Sequence, residues 1–584
     1  MNGAPWLEVI TQHAQLNPYG PRVQAAPVLG IDTETTGLDP LCDTVRLVQI
    51  AAPGLPVLIF DMWNADPPTS AYLQTLLAGR AVKVFQNAKF DMKFLQQAGL
   101  PVAGRVFDTY LAAQLLRQKT RLVKLGLDTL AQHYLSRDVA KDYQTSDWRG
   151  TLSPAQYEYA ARDAAILLPL REAMIRDLQS EDLVDVAQLE FHCLPAVVEM
   201  ELTGIQLDLD RWQRVGEHLE QQQAAAAAAL HKQLGNKAAV QMDFFGDNES
   251  SLNLDSQQQV LQGLKGLGIP VTNTAKNQLI PLAREHPVVQ DLLAYRKASK
   301  ALQAFIYSVP ETIHPTTGRL HPQYHQIGAA TGRFSCGHPN LQQIPRSREF
   351  RSCFVAKAGH KLVIADYSQI ELRVVAEISR DETMIDAYRT GQDLHRLTAS
   401  LIANKTLDGV TKDERQAAKA VNFGLVYAMG ARGLKTYAET TYGVAMTLEE
   451  AELFRQRFFQ AYSGVAAWHK SVKVSDAQAA RTLAGRVHRW RHGASVSGLY
   501  NYPVQGTAAD IVKQALADLV DALRGCSAKI VGMVHDEIIL ETAADEASRT
   551  AQILKATMEA AGARYLRRVP VVADAMVVEN WAEK

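Results

Sequence analysis

The chain has 584 residues, of which 47% are hydrophobic and 21% charged, and its formal net charge is −1. That length exceeds what one core fills and points to about three to four domains of ordinary globular composition. A charge so close to zero gives no general attraction for nucleic acid, so any such binding rests on where Lys and Arg cluster, as in a basic cleft beside an acidic outer surface.

The cysteines Cys42, Cys193, Cys336, Cys353 and Cys526 are scattered, odd in number and free of any C-x-x-C pair. This argues against a disulfide framework or a structural zinc site, and for a reducing compartment. No apolar run approaches the ~18–20 residues that span a bilayer. The start MNGAPWLEVITQHAQ lacks the basic and apolar regions of a signal peptide. A soluble, intracellular protein is expected.

In chain order, residues 1 to about 175 mix strand-like runs (VLGID, AVKVFQ) with helical patterns, as in an α/β domain. Residues from about 180 to 325 read as mostly helical, with a polar interruption at DFFGDNESSLN. The run Ala224 to Ala229 belongs to this helical part, since alanine is the best helix former. Residues from about 326 to 584 mix strands and helices and carry the densest motifs. The turn segments ELTGIQ and HPTTGRLHP mark softer boundaries.

VLGIDTET reads as a strand whose alternation puts Asp32 and Glu34 on one face. Two such carboxylates repel unless a cation sits between them. In VFQNAKFD a strand runs into a helix with Asn87 as N-cap and Asp91 in the first turn. In YEYAARDAA, Tyr159 lies one helical turn before Asp163, so phenol and carboxylate converge. Together these four acids and one tyrosine suit a two-metal phosphodiesterase, and oxygen-only ligation favours Mg²⁺ or Mn²⁺ over zinc. The ordered set D-x-E, N-x-x-x-D, Y-x-x-x-D resembles the DEDD proofreading exonucleases with tyrosine in the last motif. The resemblance implies a ribonuclease H-like fold, Asp32, Glu34, Asp91 and Asp163 as metal ligands, and Tyr159 as the residue orienting water.

Further on, KLVIADYSQIELR begins as a buried strand that delivers Asp366 at its end. In TKDERQAAKAVNFGLVYA, Thr411 and Glu414 have capping-box spacing. Arg415, Lys419, Phe423 and Tyr427 then recur every four residues, as one stripe of two cations and two rings suited to a nucleotide. KIVGMVHDEIILE reads as two apolar strands flanking His535-Asp536-Glu537 at a hairpin tip. Asp366 and Asp536, on neighbouring strands, would together hold two Mg²⁺ ions over a triphosphate.

These three segments resemble motifs A, B and C of the family A DNA polymerases, and TGRFSCGHPNLQQIP, DLHRLTA and NYPVQGTAADIVK match the family as well. The similarity runs over nearly the whole chain from about residue 25. It implies a DNA-dependent DNA polymerase with 3′-5′ proofreading, serving DNA repair and/or replication, with two Mg²⁺ (or Mn²⁺) per active site. Residues 1–178 would form the exonuclease domain and 179–584 an α+β right hand. Within the hand, 179–325 would be mainly thumb, 326–400 and 500–584 palm, and 401–499 fingers. By the resemblance, Asp366 and Asp536 are catalytic metal ligands with Glu537 close by. Arg415, Lys419 and His395 face the nucleotide, and Lys419 also serves as proton donor to pyrophosphate. Phe423 packs on the deoxyribose, Tyr427 stands near the template base and Glu371 gates against a 2′-hydroxyl. Arg333, Gln505, Asn501 and His535 contact DNA near the primer terminus. The partners implied are primer–template DNA and deoxynucleoside triphosphates, with no membrane. The protein is expected to be a monomer, cytoplasmic, and nucleoid-associated if bacterial.

Several departures from the family pattern stand out. The chain starts almost at the exonuclease motif, so no 5′-nuclease activity is expected. Ala428 stands where glycine is usual, where a methyl group would crowd a close backbone approach. Val487 and Ser497 replace customary arginines, and Arg489 and Arg491 are expected to restore the missing charge from displaced positions. Two alternatives stand against this reading. A single-subunit RNA polymerase is opposed by Glu371 and Phe423 at the sugar gate. A catalytically inactive DNA-binding relative is opposed by the intact set Asp366, Asp536, Arg415 and Lys419.

Overall fold

The structure, a computed structural model, describes residues 6–139, 142–143, 145–234, 252–472, 478–490 and 493–584. Most of the polar stretch DFFGDNESSLN, and Arg491, lie outside the described residues. The N-terminal part is built on a six-stranded sheet of β1 (Leu7–Ile10), β2 (Val28–Thr35), β3 (Val45–Ala51), β4 (Val57–Asp61), β5 (Val82–Phe85) and β6 (Val106–Asp108). Its order is β1-β4-β3-β2-β5-β6, with β2 antiparallel to β3 and parallel to β5. The inner strands β3 and β4 are buried throughout, which is why they read as unbroken apolar runs. Helices α1 (Ala88–Gln97) and α2 (Pro154–Ser180) cover this sheet. Gly30 on β2 lets α2 lie against the strand, since a Cβ there would stand 2.4 Å from the Ala164 carbonyl oxygen.

Helix α3 (Val184–Thr203) is apolar on two faces and belongs to two cores. Val186, Phe191, Leu194 and Val198 pack on the N-terminal core, while Cys193, Ala196, Val197 and Met200 enter the C-terminal one. The alanine run lies within helix Leu209–Leu234, which pairs with helix Pro287–Ala301 over a small third core.

The C-terminal part centres on an antiparallel sheet of β7 (His360–Tyr367), β8 (Lys529–Val534), β9 (Glu537–Ala543) and β10 (Ala573–Val578), ordered β8-β9-β7-β10. Around it lie α4 (Ile370–Ser379), α5 (Leu394–Ala403), α6 (Lys412–Leu425), α7 (Val496–Ala522) and α8 (Ala547–Ala563). A buried ionic network ties α3 to α7. Glu190 lies 2.6 Å from Arg486, which lies 2.7 Å from Asp510, and the Lys513 ammonium also pairs with Glu190. Charges so deep persist only when each has partners, and removal of one leaves the others stranded. Among the described residues no helix is long and apolar enough to cross a membrane.

Candidate functional site

The first cluster forms where β2 passes α1 and α2. Asp32 and Glu34 alternate on one face of β2, half-buried, while Ile31 and Thr33 fill the other face. Asp91 is buried in the first turn of α1, and Thr33 donates a hydrogen bond to it at 2.7 Å. Asp163 and Tyr159 are both buried on α2, one turn apart. Asn87 does not cap α1 with its side chain; it adopts φ 61°. The Asp108 carboxylate instead accepts from the Asn87 and Ala88 amides at 3.0 and 3.1 Å.

The charges in this cluster feel one another. Burial first, then Asp91, Asp163 and Glu34, push the Asp32 carboxyl well above the usual carboxylate range. Burial, with Asp163 and Asp91, does the same to Glu34. Burial lifts Asp91 to about 7 and Asp163 to about 6. Burial and the adjacent Asp163 raise the Tyr159 phenol, so it stays a proton donor. One oxygen of Asp163 is buried without a hydrogen-bond partner among the described residues. Four mutually repelling carboxyls with an unfilled acceptor fit a hard divalent cation.

The second cluster sits at the end of the C-terminal sheet. Asp366 is the penultimate residue of β7 and pairs in register with Glu537, the first residue of β9. The Tyr367 amide donates to the Asp536 carbonyl at 3.4 Å, so Asp536, in the turn that precedes β9, lies beside the end of β7 that carries Asp366. His535, exposed with φ 61°, and Asp536 form the tip between β8 and β9. Burial, then Asp366, raises the Asp536 carboxyl, and Lys584 opposes the shift. The Lys584 ammonium lies 2.9 Å from Asp366 and 2.8 Å from Glu537. Glu537 is buried and also meets Arg351 at 3.4 Å and the Trp581 indole.

A cavity of about 310 Å³ opens beside Asp536, lined among others by Arg333, Glu371, Phe423 and His535. Glu371, in the first turn of α4, bonds to Arg333 through one oxygen and to the Tyr427 hydroxyl through the other. The capping box of Thr411 and Glu414 starts α6 as expected. The four-residue stripe holds for Arg415, Lys419 and Phe423, but α6 ends at Leu425 and Tyr427 lies beyond it. The ending is a Schellman turn: Ala428 N–H bonds to the Leu425 carbonyl and Met429 N–H to that of Gly424. Ala428 is its left-handed residue, at φ 60°. The family glycine therefore answers a backbone conformation rather than a crowded approach.

Arg415 pairs with Asp393 at 2.7 Å. Lys419 has no ion-pair partner among the described residues. His395 is buried, its ring 5.8 Å from that of Phe423, and burial together with Arg415 and Lys419 lowers it to about 4 against the pull of Asp393. It therefore acts as a neutral ring, bonded to Asn422 at 2.9 Å. Asn501 and Gln505 lie one turn apart on α7, and Asn501 Oδ1 is buried without a partner among the described residues. Neither lines the cavity beside Asp536.

A family model described as DNA polymerase family A matches residues 217–583, and one described as 3′-5′ exonuclease matches residues 7–179. The chain belongs to the family A DNA polymerases. It carries a 3′-5′ exonuclease domain, and the two domains are of classes that work with divalent metal ions. DNA polymerase I of Aquifex aeolicus is 33% identical over 610 residues, covering 99% of this chain and 100% of the relative. DNA polymerase I of Pseudomonas aeruginosa is 31% identical over 627 residues, covering 99% of this chain and 66% of the relative. The polymerase domain of Pol1 from M. smegmatis, solved with DNA primer–template and dNTP, superposes with a TM-score of 0.83 at 26% identity. That match covers 98% of this chain and 99% of the solved one.

Within this family A polymerase, sequence reasoning missed Lys584, Arg351 and Asp393, the charged partners of the predicted site residues. None sits in a periodic pattern, and they lie in segments that only folding brings near the predicted residues. Arg489, expected to compensate together with Arg491, pairs with Glu181 at 2.8 Å, and its backbone amide donates to Gln118 at 2.7 Å.

Proposed function

We propose that Asp366 and Asp536 hold two Mg²⁺ ions for templated addition of deoxynucleotides, and that Asp32, Glu34, Asp91 and Asp163 hold two more for 3′-5′ proofreading. The observation that carries this reading is that Asp366, which the register of β7 with β9 sets opposite Glu537, and Asp536 together line one cavity of about 270 Å³, while Asp536 also faces the cavity of about 310 Å³. The donor chemistry supports it, since both sets are carboxylate oxygens, which suit Mg²⁺ or Mn²⁺. Bound there, such ions lower the pKa of an attacking hydroxyl or water and neutralise the departing oxygen.

The chain's own residues prepare the rest. Arg415 and Lys419, one turn apart on α6, meet the triphosphate, and Lys419 supplies a proton to the leaving pyrophosphate. Phe423 and neutral His395 pack beneath the sugar. Arg333 and Tyr427 fix both oxygens of Glu371, and that rigid carboxylate excludes a 2′-hydroxyl. Asn501, Gln505 and His535 contact the primer–template, and Glu537 steadies the hairpin that carries Asp536. Tyr159, kept protonated, orients the water of the exonuclease. The pol-domain structure from M. smegmatis with primer–template and dNTP supports the same partners here.

We read residues 1–178 as the exonuclease domain and 179–584 as the hand. Its thumb lies mainly in 179–325, its palm in 326–400 and 500–584, and its fingers in 401–499. The protein works as a cytoplasmic monomer, nucleoid-associated if bacterial, in repair and/or replication. Primer extension with Mg²⁺ tests this: dNTPs should extend the primer and rNTPs should not. Extension with rNTPs alone would overturn the sugar-gate assignment.

A further inference from the structure

Away from both carboxylate clusters, three different metal-binding side chains converge at the surface. Asp39 and Cys42 lie in the turn between β2 and β3, and His314 lies in the loop 313–320. Each offers a donor atom, and all three donors fall within 4.8 Å of one another. The first two belong to the stretch matched by the exonuclease model and the third to the stretch matched by the polymerase model. We propose that Asp39, Cys42 and His314 bind one transition-metal ion, zinc by preference, that clips the exonuclease domain to the polymerase domain.

The distances favour it. His314 Nε2 stands 3.6 Å from Cys42 Sγ. Tetrahedral zinc with Zn–S of about 2.3 Å and Zn–N of about 2.0–2.1 Å sets those atoms about 3.6 Å apart. His314 Nε2 stands 2.8 Å from Asp39 Oδ2, a hydrogen bond in this structure. A shared zinc widens that pair to about 3.4 Å, a small movement for two surface loops.

Both loops are already braced. The Cys42 and Asp43 amides bond back to the Asp39 carbonyl, and the other Asp39 oxygen accepts the Leu41 amide at 3.0 Å. This leaves Oδ2 aimed at the cluster, the support that metal ligands commonly have. Burial pushes the Asp39 carboxyl up, but the Leu41 amide, His314 and Cys42 outweigh it and hold it below the usual range, so it is ready as an anion. The loop of His314 is closed by His314 N–H to the Arg319 carbonyl and Gly318 N–H to the His314 carbonyl. Cys42 is exposed, which gives the ion an entry path and leaves room for water as fourth ligand.

Binding has a proton balance. The Cys42 thiol releases its proton to solvent on forming the metal–sulfur bond. His314 Nδ1 accepts the Thr316 amide at 3.2 Å in this structure, so the ring proton sits on Nε2. The ion takes Nε2, the ring proton passes by exchange with water to Nδ1, and the Thr316 amide turns to solvent. Two hydrogen bonds of His314, from the Thr316 amide and to Asp39 Oδ2, are given up for three metal bonds. Thiolate with imidazole selects zinc or cobalt, whereas the oxygen-only catalytic clusters suit magnesium. The sequence argument against zinc rested on the missing C-x-x-C pair, and here the donors come from segments about 275 residues apart.

Cobalt(II) added to the full chain tests the site, because a thiolate–cobalt bond gives a near-ultraviolet charge-transfer band that carboxylate sites cannot. The band should saturate at one ion per chain, yield to Zn²⁺ and resist Mg²⁺. Cys42→Ser should abolish it, and His314→Ala should weaken binding at least about tenfold. Zn²⁺ should raise the melting temperature of the wild type and not of Cys42→Ser. Cys42 is exposed and His314 half-buried, and primer extension by the variants confirms that they fold. No band in the wild type, or a band that survives Cys42→Ser, would overturn the site. A band indifferent to His314→Ala would overturn the clip between domains.

Discussion

In the exonuclease region Asp32, Glu34, Asp91 and Asp163 face one another, and none is in an ion pair with a Lys or Arg among the described residues. In the polymerase region Asp366 and Glu537 share the Lys584 ammonium, and Arg351 adds a second positive charge. Both regions bring acids to the end of a central strand, yet only the second supplies its own counter-charge. The difference teaches what each site needs. The first is held in its charged form only by cations from solution, while the second stays neutralised without them and must yield a lysine when they arrive.

The sharpest way to break the comparison is to remove one acid. Asp366→Ala should lower primer extension by at least about 10³-fold while 3′-5′ digestion of single strands continues. Loss of both activities in parallel assays would mean that the two clusters are not separable.

The second test is pH. Asp91 at about 7 and Asp163 at about 6 lie above the unfolded value of about 3.9. Between those values the folded chain binds more protons than the unfolded one, so metal-free stability should fall as pH rises from about 4 to 7. Denaturant melts in a chelator should show Asp91→Asn gaining on the wild type across that window, by on the order of 2 kcal/mol. Excess Mg²⁺ should shrink the gain. A variant that loses ground as pH rises would contradict the repulsion described for this site.

A third test addresses the built-in cation. Lys584→Ala removes the competitor at Asp366, so the Mg²⁺ needed for half-maximal extension should drop by about 3–10-fold. The requirement for digestion should stay fixed, because Lys584 pairs with acids of the other cluster. An equal change in both would remove the distinction between the sites.

The smallest effect belongs to the backbone. Ala428→Gly relieves a left-handed alanine at the end of α6 and should stabilise the chain by about 0.5–1 kcal/mol in thermal or denaturant melts. Destabilisation would show that the methyl group contributes packing that outweighs the strain.

Much of this was legible in the sequence because it rests on short-range geometry. Alternation placed Asp32 and Glu34 on one face, and four-residue spacing placed Tyr159 with Asp163 and Arg415 with Lys419. The capping box of Thr411 and Glu414 marked where α6 begins. What stayed hidden was long-range or conformational. The tie of Lys584 to Asp366 joins residues far apart in the sequence, and the Glu190–Arg486–Asp510–Lys513 network joins three segments with no common pattern. The left-handed turn at Ala428 was hidden by an ordinary residue, and the two-faced helix α3 shows only as dense hydrophobicity.

The most direct measurement is the fate of a mismatched primer terminus, followed nucleotide by nucleotide with Mg²⁺ and all four dNTPs, in the wild type and in Asp32→Ala with Glu34→Ala. The two-cluster account predicts that the wild type excises the mismatch before extending, and that the double variant keeps it while extending a paired primer at the wild-type rate. Excision by the double variant, or its failure on the paired primer, would contradict the account.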